Sequence, residues 1–230
     1  MSHDHDHDHD HDHSHEHGDS HDGHDHAHPP QRDHDAGPMG PYEVMEEALR
    51  LLLLEKGVLT DGEIAAQMDL IDSRSPALGA KVVARAWVDP AFKQRLLADC
   101  RKALAEMDID IGQLAEFKVV ENTPGTHNVI VCTLCSCYPK LLLGIPPAWY
   151  KSLAYRSRTV IDPRGVLAEF GVKVPKSQEE RVHDSTADLR YIVLPARPKG
   201  SEKLGETELA KLVSRDAMIG TAIPSATPRQ

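Results

Sequence analysis

The chain has 230 residues and carries 26 Lys and Arg against 36 Asp and Glu, for a formal net charge of −10. This acidic balance excludes a strongly basic nucleic-acid-binding protein, because such proteins need clustered positive charge to bind phosphates. A membrane-spanning helix is not expected, since the apolar run at residues 51–54 is far shorter than the roughly 20 residues that such a helix needs. The N-terminus alternates His and Asp where a secretory signal needs a basic and then an apolar stretch, so we expect a cytoplasmic protein.

Residues 1–36 form a strongly biased tail. They hold 13 of the 15 histidines, eleven acidic residues and one base, Arg32, whereas the rest of the chain carries 25 acidic and 25 basic residues. Such a tail has almost no apolar surface to bury, so we predict that it is disordered. Two roles are open for it. Imidazole groups bind transition metals, so the tail could act as a metal buffer, or it could serve only as a solubilising segment.

Residues 37–112 are predicted to form a helical arm. Apolar residues recur there at the three- and four-residue spacing of a helix. The first helix starts at Pro41, the second begins near Asp61, the third spans residues 77–88, and the fourth spans residues 90 to about 107.

Residues 113–222 are predicted to form an α+β domain, followed by a C-terminal tail at residues 223–230. Short β-branched runs at residues 117–120 and 128–131 flank a turn, so we predict two strands of a hairpin or of adjacent ladders. The fold class is therefore α+β, with a helical arm followed by a layered α-β-β-α domain. The further predicted elements are short helices after Pro147 and at residues 163–170, strands around Val182 and at residues 189–194, and a closing helix at residues 206–218.

Three of the four cysteines, Cys132, Cys135 and Cys137, lie within six residues directly after the second predicted strand. A disulfide framework spreads its cysteines along the chain, so this cluster indicates a metal site instead. Cys100 lies in a helical pattern and is predicted to be a small buried apolar residue. Two thiolates one residue apart can bind one ion only if the backbone curls tightly around it. That curl brings the backbone amides of Ser136 and Cys137 within reach of the ion and leaves a position open, as in catalytic metal sites.

The string Cys-Thr-Leu-Cys-Ser-Cys at residues 132–137 resembles the metal claw of nitrile hydratase α-subunits, a family that includes the thiocyanate hydrolase γ-subunits. The resemblance implies that Cys132, Cys135 and Cys137 are sulfur ligands, and that Ser136 and Cys137 bind the metal through their backbone amides. It also implies that Cys135 is oxidised to a sulfinic acid and Cys137 to a sulfenic acid. The resemblance covers about residues 41–222 and includes the stretches at residues 80–99, 119–131, 149–158, 161–171 and 184–198.

The same resemblance implies a cofactor, further site residues and partners. Thr133 matches the cobalt-type members, so one Co(III) per chain is expected rather than iron. Gln113 matches an outer-sphere glutamine and Arg190 matches an arginine behind the site, so both are expected to be catalytic together with Cys135 and Cys137. The expected partners are a β-subunit in an α2β2-type assembly, around which the helical arm wraps, and an activator protein that inserts cobalt. The implied reaction is the hydration of a small nitrile to an amide, with the metal as a Lewis acid.

Two other functions are open. The chain could be a thiocyanate hydrolase γ-subunit, because its His-rich N-terminus is similar to those subunits, although residues 161–171 and 184–198 look more like nitrile hydratases. It could also be a metal-handling protein that works through its tail. An ion held by deprotonated amides exchanges slowly, so the intact claw favours the enzyme. Lys140 stands where many members have Trp or Arg, which leaves the size and charge of the substrate open.

Aromatic and histidine side chains outside the claw are predicted to be structural. Trp149 and Tyr150 are expected to anchor the core or a subunit interface rather than to line a substrate entry. His127 and His183 are expected to be hydrogen-bonded within the fold.

Overall fold

The computed structural model of the protein describes residues 40–135 and 137–226. The predicted tail at residues 1–36, Ser136 and the last four residues of the chain lie outside them. The described residues form eleven α-helices and four β-strands, so the predicted mixed architecture is confirmed. Within this part of the chain, no helix is long and apolar enough to cross a membrane.

The first two helices, α1 (Pro41–Glu55) and α2 (Asp61–Asp72), contain no buried residue. Thr60 caps α2, because its hydroxyl accepts the backbone N–H of Glu63 at 3.2 Å and the Glu63 carboxylate accepts that of Thr60 at 2.9 Å. Both helices carry apolar side chains that the described chain leaves exposed. These are Tyr42, Val44, Met45, Leu49, Leu51, Leu52, Met68, Leu70 and Ile71.

The next three helices differ from the first two in their burial. They are α3 (Pro76–Val88), α4 (Pro90–Ala98) and α5 (Cys100–Ala105). The single helix predicted from residue 90 to about 107 is wrong, because extended backbone at Asp99 ends α4 and its carboxylate accepts the backbone N–H of Lys102 at 3.1 Å to start α5. Val83, Phe92 and Leu104 lie in the main core. α3 to α5 therefore bury apolar side chains within their own chain, whereas α1 and α2 do not.

The four strands form two parallel pairs. β1 (Glu116–Glu121) pairs with β4 (Leu189–Leu194), and β2 (Thr126–Val131) pairs with β3 (Glu179–Asp184). Of the two predicted arrangements, the hairpin is wrong and the adjacent ladders are correct. Five consecutive residues of β2 are buried, and a strand covered on both faces is typical of parallel pairing rather than of a solvated hairpin.

Six further helices complete the described fold. They are α6 (Lys140–Leu143), α7 (Ala148–Lys151), α8 (Leu153–Ile161), α9 (Pro163–Glu169), α10 (Glu206–Ala210) and α11 (Arg215–Ile219). The single closing helix predicted at residues 206–218 is wrong, because the chain forms two helices there, α10 and α11. Ser214 caps the second of them by accepting the backbone N–H of Ala217 at 3.2 Å. α4 and α5 pack on β1, α11 packs on β4, and α8 and α9 pack on β2 and β3.

Candidate metal centre

The three clustered thiols converge in the loop that follows β2. The Sγ atoms of Cys132 and Cys135 are 3.3 Å apart, and those of Cys135 and Cys137 are 2.9 Å apart. All three lie within 4.8 Å of one another, and they are the one such group of three or more potential ligands in the described part of the chain. The backbone N–H of Cys135 donates to Sγ of Cys132 at 3.3 Å. The backbone therefore turns back on itself between Cys132 and Cys135.

The three thiols differ in exposure. Cys132 is buried, Cys137 is half-buried and Cys135 is exposed. Burial raises the pKa of the Cys137 thiol and a hydrogen bond with Cys135 raises it further, whereas the positive charge of Arg190 acts in the opposite direction. A metal ion binds the thiolate rather than the thiol, so metal binding must displace protons that this environment retains. The fourth cysteine, Cys100, is buried in the core, as predicted.

Side chains from α8 and β3 hold the start of the cysteine loop. Arg156 on α8 donates from Nε to the carbonyl oxygen of Cys132 at 2.9 Å and from Nη2 to that of Thr133 at 2.7 Å. Asp184, the last residue of β3, accepts the backbone N–H of Thr133 at 2.9 Å and its hydroxyl at 2.5 Å. The parallel register places Asp184 opposite Val131, so the strand pairing itself brings this carboxylate beside the loop.

Tyr150 holds the other end of the loop. Its hydroxyl donates to the carbonyl oxygen of Cys137 at 2.9 Å, and its ring is fully buried against the ring of Tyr138. The prediction that Tyr150 anchors the core is confirmed, but its contact with the cysteine loop was not expected from the sequence. The contacts of Arg156 and Asp184 were also missed. All three lie in stretches that resemble the family, which is the signal that could have found them.

Of the two residues that were expected to support the claw, only Arg190 lines the cavity beside the thiols. Arg190, on β4, lines the same cavity as Cys135 and Cys137. Its Nη1 is buried and has no hydrogen-bond partner among the described residues, which is costly unless the complete site supplies one. Gln113 is exposed and is not among the residues that line this cavity, so its role remains a prediction. Ser136, the expected amide ligand, lies outside the described residues.

A cavity of about 570 Å³ opens beside Cys135 and Cys137. It lies where the N-terminal ends of β1 and β4 meet the loop that follows β2. Leu70 and Ile71 of α2 and Phe117 of β1 contribute apolar walls. A cavity of this size is typical of sites for small organic molecules.

The donor set fits a transition-metal ion. Thiolates are soft ligands, whereas Mg²⁺ and Ca²⁺ take oxygen ligands. Three sulfurs leave at least one coordination position for a further ligand. Their place at the edge of a cavity is what a catalytic metal needs and what a closed structural site does not provide.

Comparisons with known proteins agree with this geometry. The family model described as "Nitrile hydratase, alpha chain" matches residues 41–222. The low-molecular weight cobalt-containing nitrile hydratase subunit alpha of Rhodococcus rhodochrous is 51% identical over 180 residues, which cover 78% of this chain and 87% of that protein. The thiocyanate hydrolase subunit gamma of Thiobacillus thioparus is 38% identical over 194 residues, which cover 80% of each. A solved double mutant of the Fe-type nitrile hydratase from Comamonas testosteroni Ni1 matches with a TM-score of 0.73 and 42% identity, over 82% of this chain and 95% of that one.

The mixed fold and the thiol cluster define a subunit of a metalloenzyme, and the comparisons name its family. The chain belongs to the nitrile hydratase α-subunit family. The resemblance and the enzymatic nature expected from the sequence are therefore confirmed. Both cobalt-containing and Fe-type proteins are among its relatives, so the comparisons support a metal cofactor and favour cobalt.

Proposed function

We propose that the chain is the metal-bearing α-subunit of a nitrile hydratase, which adds water to a nitrile to give an amide. The observation that carries this proposal is the meeting of three thiols within 4.8 Å at the edge of a cavity of about 570 Å³. One low-spin Co(III) per chain would be held by the sulfurs of Cys132, Cys135 and Cys137 and by the backbone amides of Ser136 and Cys137. Thr133 and the cobalt-containing relative support cobalt over iron.

A trivalent ion in this loop supplies a Lewis acid that makes the nitrile carbon electrophilic. The residues of the chain keep the ligands in position for that chemistry. Arg156 and Asp184 hold the loop at Thr133, and Tyr150 holds it at Cys137. The apolar walls of the cavity bind the hydrocarbon part of the substrate next to the thiols.

The proposal includes oxidation of two cysteines by an external oxidant of the dioxygen or peroxide class, Cys135 by four electrons to a sulfinic acid and Cys137 by two electrons to a sulfenic acid. An oxygen on either sulfur would give the buried Nη1 of Arg190 an acceptor that it lacks among the described residues. The Cys137 oxygen would also accept a proton from the water that adds to the nitrile carbon. Oxidation to the sulfinic level is normally irreversible, so this is a single maturation step.

The proposed partners are a β-subunit, in an α2β2-type assembly, and an activator protein that inserts cobalt. The exposed apolar side chains of α1 support a partner, since this helix buries no residue within the described chain. A helix with several exposed apolar side chains is typical of a protein interface.

The test is the content of tightly bound cobalt in the full chain, expressed with its β-subunit and activator in cobalt medium. Dialysis against EDTA removes cobalt from the histidine-rich tail, and nitrile hydration is then assayed. We expect about one retained cobalt per chain in the native protein and in Cys100→Ala, the control at a cysteine outside the cluster, and none in Cys137→Ser. Mass spectrometry should find two added oxygens on Cys135 and one on Cys137.

Complete removal of cobalt by EDTA from the native protein would contradict the proposal, as would full retention in Cys137→Ser. Either result would favour a metal-handling protein that works through its tail.

Hydrolysis of thiocyanate is the second candidate function, because the thiocyanate hydrolase subunit gamma is 38% identical to this chain. The two activities differ in their products. Nitrile hydration keeps the nitrogen in an amide, whereas thiocyanate hydrolysis releases ammonia. An ammonia assay with thiocyanate on the same cobalt-loaded protein therefore separates them.

A further inference from the structure

The cavity beside the thiols has an excess of positive charge. Arg74, Lys140 and Arg190 line it together with a single acidic side chain, Asp110. Within residues 40–135 and 137–226, none of these three cations forms a salt bridge. Asp110 instead accepts the backbone N–H of Gly112 at 2.8 Å. The cavity therefore presents three cations without an ionic partner in the described chain.

Arg74 is held in place by close packing of the backbone. It lies in the connection between α2 and α3, and its carbonyl oxygen is 2.7 Å from the position that a Cβ atom on Gly144 would occupy. Gly144 has a φ of +71°, so only glycine is free of strain at this position, where the backbones of Arg74 and Gly144 approach each other closely. The Nε atom of Arg74 is buried and has no hydrogen-bond partner in the described chain. A buried N–H group without an acceptor costs free energy, and a bound ligand that supplies an acceptor removes this cost.

Arg190 differs from Arg74 and Lys140 because its charge acts on a thiol of the metal site. The charge of Arg190 acts on the thiol of Cys137, so Arg190 belongs to the metal site itself. Lys140 is the first residue of α6, and its side chain is exposed at the cavity. A neutral nitrile offers no anionic acceptor to Arg74 or Lys140. A carboxylate in the cavity would be attracted by both cations, and charge-assisted hydrogen bonds to such groups are among the strongest in proteins.

The size and the walls of the cavity decide between possible anions. Its volume of about 570 Å³ is far larger than the three atoms of thiocyanate require. Leu70, Ile71 and Phe117 also line it, and they suit a hydrocarbon chain rather than a small polar ion. An elongated substrate would place its nitrile at the thiols and its other end at the cations.

We propose that the substrate is an aliphatic nitrile with a carboxylate at its other end, and that Arg74 and Lys140 bind this carboxylate. This inference rests on the proposed nitrile hydratase function and specifies its substrate class. Water adds across the C≡N bond to give the amide, and the carboxylate is unchanged.

The experiment compares two nearly isosteric nitriles, 3-cyanopropanoate and 3-cyanopropanamide, on the cobalt-loaded complex with the β-subunit. We expect kcat/KM to be at least about tenfold higher for the carboxylate, because a single charge-assisted contact already has about that value. This preference should decrease as the ionic strength is raised, because salt screens the attraction. Competitive inhibition by butanoate, compared with butanamide, measures the same preference as binding alone.

Four variants separate charge from structure. Lys140→Met and Arg74→Met should each lower the preference, which is the ratio of kcat/KM for the carboxylate to that for the amide, because each removes one cation from the cavity. Lys140→Arg should keep the preference. Lys173→Met is the matched control, because Lys173 is exposed and does not line the cavity.

Equal or faster hydration of 3-cyanopropanamide by the native complex would overturn the inference and leave the proposed function intact. An unchanged preference in both methionine variants would also overturn it. Release of ammonia from thiocyanate, with neither nitrile hydrated, would overturn the inference and the proposed function together.

Discussion

Tyr150→Phe removes one hydroxyl group from the contact that holds the cysteine loop. In the native protein this hydroxyl donates to the carbonyl oxygen of Cys137 at 2.9 Å. Tyr155→Phe is a matched control. Tyr155 is also fully buried, and its hydroxyl donates to the carbonyl oxygen of Ile130, in strand β2, at 2.6 Å. The two variants therefore lose the same chemical group and the same kind of hydrogen bond, one at the claw and one in the sheet.

The expected loss of stability is similar in the two variants. A buried carbonyl that loses its donor costs about 1–2 kcal/mol. For a folded chain of this size that corresponds to a decrease in Tm of about 2–8 °C. At the claw the same loss has a second consequence. If the Tyr150 hydroxyl holds Cys137 in its ligand position, a loss of about 1.4 kcal/mol shifts the equilibrium between held and released loop about tenfold.

The assay measures urea unfolding, EDTA-resistant cobalt and nitrile hydration for the two variants in the complex with the β-subunit. We expect both variants to lose stability, and only Tyr150→Phe to lose retained cobalt and kcat, each by up to about tenfold. Equal cobalt retention and equal kcat in the two variants would refute the reasoning, since Tyr150 would then be an ordinary core residue.

Two further predictions concern the fold around the site. Gly220→Ala should lower the free energy of unfolding by more than about 3 kcal/mol, because at its φ of +99° a Cβ atom would collide with the carbonyl oxygen of Asn128. Gly171→Ala is the control, since Gly171 has a φ of +77° but faces open space. It should lower the free energy of unfolding by only about 1–2 kcal/mol. Urea unfolding of the pair measures the difference, and equal losses would show that the collision is relieved. Burial lowers the pKa of His127, so the unfolded chain takes up a proton that the folded chain excludes, and stability should decrease as the pH falls from about 7.5 to 5.5. His127→Gln keeps an N–H for the carbonyl of Gly220 but does not titrate, so a pH dependence as steep as that of the native protein would assign the effect to another group.

Local signals in the sequence predicted most of the elements and none of the long-range strand pairs. Asp89 followed by Pro90 marks the start of a helix, and its carboxylate does accept the backbone N–H of Phe92 at 2.9 Å. Asp99 is the same kind of cap inside an otherwise helical pattern, and its effect on the backbone divides one predicted helix into α4 and α5. The pairing of β2 with β3 joins residues more than fifty positions apart. A short turn between two β-branched runs carries no information about that distant partner.

The sequence by itself identified the three clustered cysteines as candidate ligands, because three cysteines at this spacing have few other uses and the string that holds them resembles one family. Only the tertiary structure decided what surrounds them. Tyr150, Arg156 and Asp184 reach the loop because α7, α8 and the end of β3 pack around β2. Arg74 reaches the cavity because the connection between α2 and α3 crosses Gly144. The sequence gives the chemical type of each side chain directly, whereas packing between segments that are distant in the chain decides which side chains lie close together.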